Sequence, residues 1–236
     1  LKKSKRSKDK SSTHVDLLFL EKTDKMKIVS IQVGKLQQIP NHTPAVLTGI
    51  FKTPVSGPVE VRKLGLQNDE QADLKVHGGF DKAVYAYSFE AYSWWVIHRP
   101  EDSYSSGAFG ENLTIDEIHE DQTFIGDTFA LGSAILQVSE PRFPCFKLGL
   151  KYNDASIIKR FMQSRRPGIY FRVLQEGRIQ AGDELRLIAR EKISISILEL
   201  FELKADVSIE RLREMIQVKS LPERWRNKFL TRISSH

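Results

Sequence analysis

"GIYFRVLQEGRIQAGDELRLIA", residues 168–189, is the stretch on which the fold class turns. Ile169, Tyr170, Phe171 and Val173 are β-branched or aromatic, the residue types that fit a pleated, half-buried surface. Glu176-Gly177 then reads as a turn, and Ala181-Gly182-Asp183 as a corner before a last strand-like run at Leu185–Ala189. The same grammar recurs upstream. "TFIGDTFALGSAILQVS" (123–139) reads as two or three short strands, with Gly126-Asp127 and Gly132-Ser133 as turns. "KTPVSGPVEVRKLGL" (52–66) is a turn between strands, and "MKIVSIQVGK" (26–35) alternates before meeting Gly34. Closely spaced short strands with Gly-Asp corners predict a closed or nearly closed antiparallel β-barrel.

Two peripheral helices are expected between these runs. One is the aromatic-rich "DKAVYAYSFEAYSWWVIH" (81–98); the other is "NDASIIKRFMQS" (153–164), with an Asn/Asp cap signal. After Arg190 the pattern changes to helical spacing in "ISILELFEL", "SIERLREMIQV" and "LPERWRNKFLTRI". These predict a small all-α, three-helix appendage. The chain therefore reads as a basic N-terminal extension (1–25), a β-barrel domain (26–190) and a three-helix domain (191–236).

Composition narrows the function classes. One cysteine in 236 residues rules out an intramolecular disulfide framework and favours a reducing, cytoplasmic setting. No run approaches the roughly 20 apolar residues that span a bilayer, so no membrane role is expected. The net charge of +6 looks nucleic-acid-like, but residues 1–13 carry six Lys/Arg against one Asp. The other 223 residues hold only +1, which disfavours nucleic acid as a partner. Met26 stands immediately before the first strand-like run, and residues 1–25 are expected to lie outside the folded domain.

Three clusters could carry chemistry. In "NDEQADLKVHGGFDKAVYAY", Asp69, Asp73 and His77 have the spacing of one helical face, but His77-Gly78-Gly79 reads better as a turn. Its backbone N–H groups, with Asp81-Lys82 beside them, suit an anion such as phosphate. In "FGENLTI" (109–115), Asn112 either closes a turn or fixes a heterocycle edge through its paired donor and acceptor. The third is "SEPRFPCFKLGL" (139–150), where Pro141 and Pro144 stiffen a loop and Arg142 and Lys147 flank Cys145. Neighbouring cations stabilise a thiolate, the reactive and metal-binding form. The absence of a second cysteine and of HxxxH spacing argues against zinc. Nucleophile, redox switch and metal ligand remain open on residue chemistry alone.

Four blocks taken in order resemble the MOSC family, named for the C-terminal domain of molybdenum cofactor sulfurase, and its bacterial YiiM-type branch in particular. They are "GLQNDEQADLKVHGGFDKAVYAY", "FGENLTI", "GDTFALGSAILQVSEPRFPCFKL" and "RPGIYFRVLQEGRIQAGDELRL". The resemblance covers about 26–190, and 191–236 resemble the three-helix domain that follows in this branch. It implies a mainly β, MOSC-type barrel holding a molybdenum pyranopterin cofactor, with Cys145 as the catalytic thiolate ligand to the metal. It further implies two-electron reduction of N-hydroxylated compounds, such as N-hydroxylated purine bases, to amines. Electrons would come from a separate reductase, a flavoprotein or similar; a homodimer is compatible with the pattern. Arg142, Lys147, His77, Lys82 and Asn112 would line the cofactor pocket, with Tyr170 and Arg172 as a further wall. Two positions depart from the pattern: Asn68 stands where glycine is common, and Ile169 where an aromatic is common. A sulfur-carrier or cofactor-binding module without turnover is the alternative role for Cys145. A DNA-associated redox regulator, using "ERWRNKF" and the basic tail, is the third.

Overall fold

The computed structural model describes residues 25–39, 43–72, 78–203 and 206–235. Residues 1–24 of the expected extension (1–25), with Asp73 and His77, lie outside the described residues. Among the described residues, thirteen strands, eight of them no more than four residues long, alternate with six helices. In chain order the strands are β1 (Lys27–Val33), β2 (Gln37–Gln38), β3 (Leu47–Thr48), β4 (Thr53–Pro54), β5 (Val59–Arg62), β6 (Gly65–Leu66), β7 (Val84–Ser88), β8 (Leu113–Asp116), β9 (Thr128–Leu131), β10 (Ala134–Pro141), β11 (Ile169–Gln175), β12 (Gly177–Ile179) and β13 (Leu185–Ala189). The helices are α1 (Ala91–His98), α2 (Phe146–Lys151), α3 (Ser156–Ser164), α4 (Ile197–Phe201), α5 (Ile209–Met215) and α6 (Glu223–Ser234). A 3-10 turn, Phe80–Lys82, precedes β7.

The main sheet runs β13-β9-β10-β11-β7-β8-β1-β4. It curls until its ends meet. Ile28 N donates to Asp183 O (2.9 Å), Gly182 N to Ile28 O (2.8 Å) and Leu185 N to Met26 O (2.9 Å). This contact between β1 and the corner before β13 makes the β-barrel that the sequence predicts. The register between β10 and β11 shifts near Val138–Glu140, a bulge of the kind that re-aims side chains at a barrel rim. One pair, β7 with β8, is parallel, so the barrel is mixed rather than wholly antiparallel.

The expected helix over 81–98 is half wrong. Its first part is strand β7, and only Ala91–His98 is helical. All five residues of β7 are buried, so no polar face marks the strand period. Val84 and Ala86 enter the barrel core, whereas Tyr85 and Tyr87 enter a second, aromatic cluster with Trp95, Phe109 and Phe161. That cluster is close-packed: the Phe109 ring lies 4.8 Å from Tyr87 and 4.7 Å from Trp95, and Trp95 Nε1 donates to Tyr87 Oη (2.8 Å). It lies outside the barrel wall and carries α1 and α3.

The three C-terminal helices form where their spacing predicts. Ser196 and Ser208 cap α4 and α5 through side chains that accept from Glu199 N and Arg211 N. Their apolar residues, with Trp225 and Phe229 of α6, join the core cluster that fills the barrel. The basic residues of "ERWRNKF" are spent internally. Arg224 pairs with Glu140, Arg226 donates to Ile216 O and Val218 O, and Lys228 sits 4.9 Å from the Trp225 ring. No helix among the described residues is long and apolar enough to cross a membrane.

Candidate functional site

β10 ends at Pro141 and delivers the cysteine loop to the barrel rim. Cys145 has extended backbone (φ −118°, ψ 171°) and immediately precedes α2, a helix that the sequence reading did not anticipate. Leu148 N donates to Cys145 O at 2.9 Å and fixes the loop onto that helix. The cysteine is half-buried in a cleft that also receives Lys82, Asn112, Arg142, Lys147 and Tyr170. Six of the eight residues singled out from sequence thus converge, although they come from four separate blocks of the chain.

Arg142 is the most constrained of them. Only 6% of it is exposed, and its guanidinium carbon lies 5.0 Å from the Tyr85 ring and 5.2 Å from the Phe161 ring. Nη1 is buried without a hydrogen-bond partner among the described residues. A buried charged donor in that state costs several times what an ordinary hydrogen bond contributes, so it calls for an anionic partner. Burial opposes its charge, but Tyr85, Tyr170 and the Cys145 sulfur outweigh that and hold its pKa above the usual guanidinium range.

Lys82 is the last residue of the 3-10 turn that begins after Gly79, whose φ of +83° suits glycine. Its ammonium lies 3.6 Å from Glu140 Oε1 and 5.9 Å from the Tyr170 ring. Burial pulls its pKa below the ordinary lysine value; Glu140 works against that and Arg224 with it. Burial likewise raises the Tyr170 phenol, with Arg142 opposing.

Asn112 both braces the wall and lines the cleft. Its Nδ2 donates to Asp69 Oδ2 (2.9 Å), and its Oδ1 accepts from Tyr85 N (3.2 Å). Neither partner lies in its own turn: the side chain bridges the Tyr85 backbone and the Asp69 carboxylate, which come from distant parts of the chain. Glu111, fully buried beside it, accepts from Gly107 N (2.6 Å), Phe109 N (3.0 Å) and the Tyr92 hydroxyl. That carboxylate holds the Phe-Gly corner in which Gly110 adopts φ +78°.

Arg172 does not line the cleft, contrary to expectation. It shares a sheet face with Tyr170 but sits two residues further along β11, a step of about 7 Å. There Asp81 takes it as an ion pair at 2.8 Å, Ser220 O accepts from its Nη2 (2.9 Å), and Phe80 lies beneath it. Ile169 is buried in the barrel core and so contributes nothing to the pocket wall. Asn68 adopts φ +66°, the left-handed geometry that its substitution for glycine requires.

Sequence reasoning missed the ion pair at the cleft floor. Lys52 and Asp69 both line the cleft, with side chains 7% and 2% exposed, and are directly paired. Asp69 Oδ1 also accepts from Gly34 N (2.8 Å). Burial lowers the Lys52 pKa, with Asp69 restoring part of it. Lys52 lies 17 residues before its partner, beyond the reach of any local spacing rule.

A soft sulfur donor, a buried arginine with an unmet donor and two further lysines form a coherent donor set for an anionic, metal-bearing ligand. The residues present therefore fit a phosphate-bearing molybdenum cofactor.

Comparison with known proteins identifies the family. The family model described as "MOSC domain" matches residues 73–186. Protein YflK of Bacillus subtilis (strain 168) is 37% identical over 216 residues, covering 89% of this chain and 95% of YflK. The crystal structure of YiiM from Geobacillus stearothermophilus superposes with a TM-score of 0.74 at 35% identity, covering 88% of this chain and 99% of that one. A Gibberella moniliformis protein named as a reductase is 35% identical over 178 residues, which span 73% of this chain but only 32% of the reductase. The chain belongs to the MOSC domain family and is a YiiM-type member of it.

Proposed function

We propose that the chain is a molybdenum-cofactor-dependent oxidoreductase that reduces N-hydroxylated compounds, such as N-hydroxylated purine bases, to amines. The observation that carries the reading is Arg142 Nη1, a buried donor without a partner among the described residues, in the cleft that holds Cys145. The reductase among the relatives supports the reaction class.

Each reduction consumes two electrons and two protons, breaks the N–O bond and releases water. The cofactor, when bound, supplies the two-electron redox chemistry. Cys145 would ligate the metal through its thiolate. Arg142, Lys82 and Lys147 would hold the cofactor's phosphate and the anionic centre, and Asn112 would keep Tyr85 and Asp69 in register beneath them. Tyr170 would wall the cleft. No flavin, haem or iron–sulfur motif stands among the described residues, and this reading assigns electron delivery to a separate reductase partner, a flavoprotein or similar.

Elemental and pterin analysis of protein made in a host that synthesises the cofactor tests the reading. Wild type should carry molybdenum near one equivalent and Cys145→Ser should lose it; full retention in the variant removes the thiolate from the ligand set. Turnover of an N-hydroxylated base with a chemical reductant then separates enzyme from carrier. Metal-loaded protein that does not turn over would assign the cofactor-carrier role instead.

A further inference from the structure

Glu140, five residues before Cys145, has a fully buried carboxylate approached from two sides. From α6, Arg224 and Trp225 Nε1 (2.8 Å) both donate to Oε2. From the cleft, Lys82 Nζ stands 3.6 Å from Oε1, an oxygen without a hydrogen-bond partner among the described residues. One negative charge is therefore shared between a cleft lysine and a helix of the C-terminal segment. The same segment touches the cysteine loop: the Phe143 ring packs 5.1 Å from Phe201 and 6.0 Å from Trp225. It also holds Arg172 through Ser220 O, and Arg172 in turn holds Asp81, the neighbour of Lys82.

We propose that Arg224 is a positioning residue for Lys82: by engaging Glu140 from the helical side, it leaves the Lys82 ammonium directed at the cleft and its anionic ligand. The C-terminal helices thereby set the positive charge of a cleft they do not line. The groups facing Lys82 among the described residues include Glu140 of β10, Asp81 on its own turn, Tyr170 of β11 and Arg224 of α6. Asp81, although paired with Arg172, pulls on Lys82 in the same sense as Glu140, and Arg224 opposes both. Without Arg224 only the neutral Trp225 Nε1 donor remains on the helical side, so more of the carboxylate charge bears on Lys82, which is then held back from the cleft and gives up its proton less readily.

The inference builds on the anion-binding reading of the cleft, but its test needs no molybdenum. Acetylation of Lys82 by acetic anhydride, followed across pH by peptide mass spectrometry on the folded full chain, reports the acidity and access of that amine. Arg224→Met should slow Lys82 acetylation near pH 8 by about threefold, the effect of a half-unit shift in acidity. It should also weaken protection of Lys82 by added inorganic pyrophosphate. Arg224→Lys, which keeps the charge, should restore most of the wild-type profile. Glu140→Gln should move the profile the other way, and it provides the test if Arg224→Met does not fold. Unaltered Lys82 profiles in folded Arg224→Met or in Glu140→Gln would overturn the proposal and leave Arg224 a structural contact. Because loss of molybdenum in Cys145→Ser is measured separately, failure of either idea is recognisable on its own.

Discussion

Arg142 places its guanidinium carbon 5.0 Å from the centroid of the Tyr85 ring, and Tyr85 is itself locked in place. Its hydroxyl donates to Pro167 O (2.9 Å), its N–H to Asn112 Oδ1, and its carbonyl accepts from Asn112 N (2.7 Å). The planar cation rests on a platform fixed at three points, so one donor edge is aimed rather than merely available. Arg142→Lys keeps the charge but not the stacked fork, and should weaken pyrophosphate binding by roughly 10- to 100-fold, the scale of one or two charge-assisted hydrogen bonds. Arg142→Met should lose binding further while keeping folding stability within about 1 kcal/mol, because it removes a buried charge as well as its contacts. Calorimetric titration and thermal unfolding check the two halves separately. Undiminished binding in Arg142→Met would remove this residue from the anion site.

The Lys52–Asp69 pair yields a prediction of asymmetry. Asp69 has two partners besides Lys52, namely Gly34 N and Asn112 Nδ2, whereas among the described residues Lys52 Nζ donates to Asp69 alone. Asp69→Ala strips a buried ammonium of its counter-charge and should cost about 3–5 kcal/mol. Lys52→Met leaves the carboxylate two donors and should cost clearly less. The double substitution Lys52→Met with Asp69→Leu should recover much of the loss, since a buried pair returns little more than its desolvation costs. Urea unfolding midpoints of the three variants decide it; equal losses from the two single changes would refute the asymmetry.

The sequence signals and these contacts differ in kind. Strands β10, β11 and β13 were legible because turns at Gly132 and Gly182 punctuate them and their residues are β-branched or aromatic. Strand β7 was not, because its tyrosines and its small apolar residues face two different apolar clusters and no polar alternation survives. The Cys145 neighbourhood was legible because Arg142 and Lys147 are carried on the same short loop. Lys52 and Asp69 were not, because chain closure through β5 and β6 brings them together, and such pairing leaves no local spacing. Arg172 was misplaced for a third reason: alternation along β11 gives the correct face but not how far along the rim a side chain stands, and Asp81 claims it first.

Lys151 supplies a pH-dependent prediction, from a residue that sequence reasoning passed over. Its Nζ donates to Gly107 O (2.9 Å) and Ile50 O (3.4 Å) beneath the cleft wall, 5.7 Å from the Phe51 ring. Burial pushes its pKa down from 10.5 to about 8; Glu111 opposes the shift, and Arg142 and Lys52 add to it. The unfolded chain therefore binds more protons than the native one between about pH 8 and 10.5, and stability gains from this group as pH rises through that window. Below pH 8 both states hold the proton and the native state bears the full cost of the buried charge. Above 10.5 both are neutral and the cost is gone. The gain across the window is at most about 3 kcal/mol, reduced by whatever water reaches the half-buried ammonium. Replacing the residue removes the titration, so Lys151→Met should exceed wild type most at pH 7.5, with the gap closing toward pH 10.5. Guanidinium unfolding of both proteins at half-unit pH steps measures that difference while cancelling the titration of other groups. A gap that stays constant with pH would show that Lys151 keeps an ordinary lysine acidity in the folded protein.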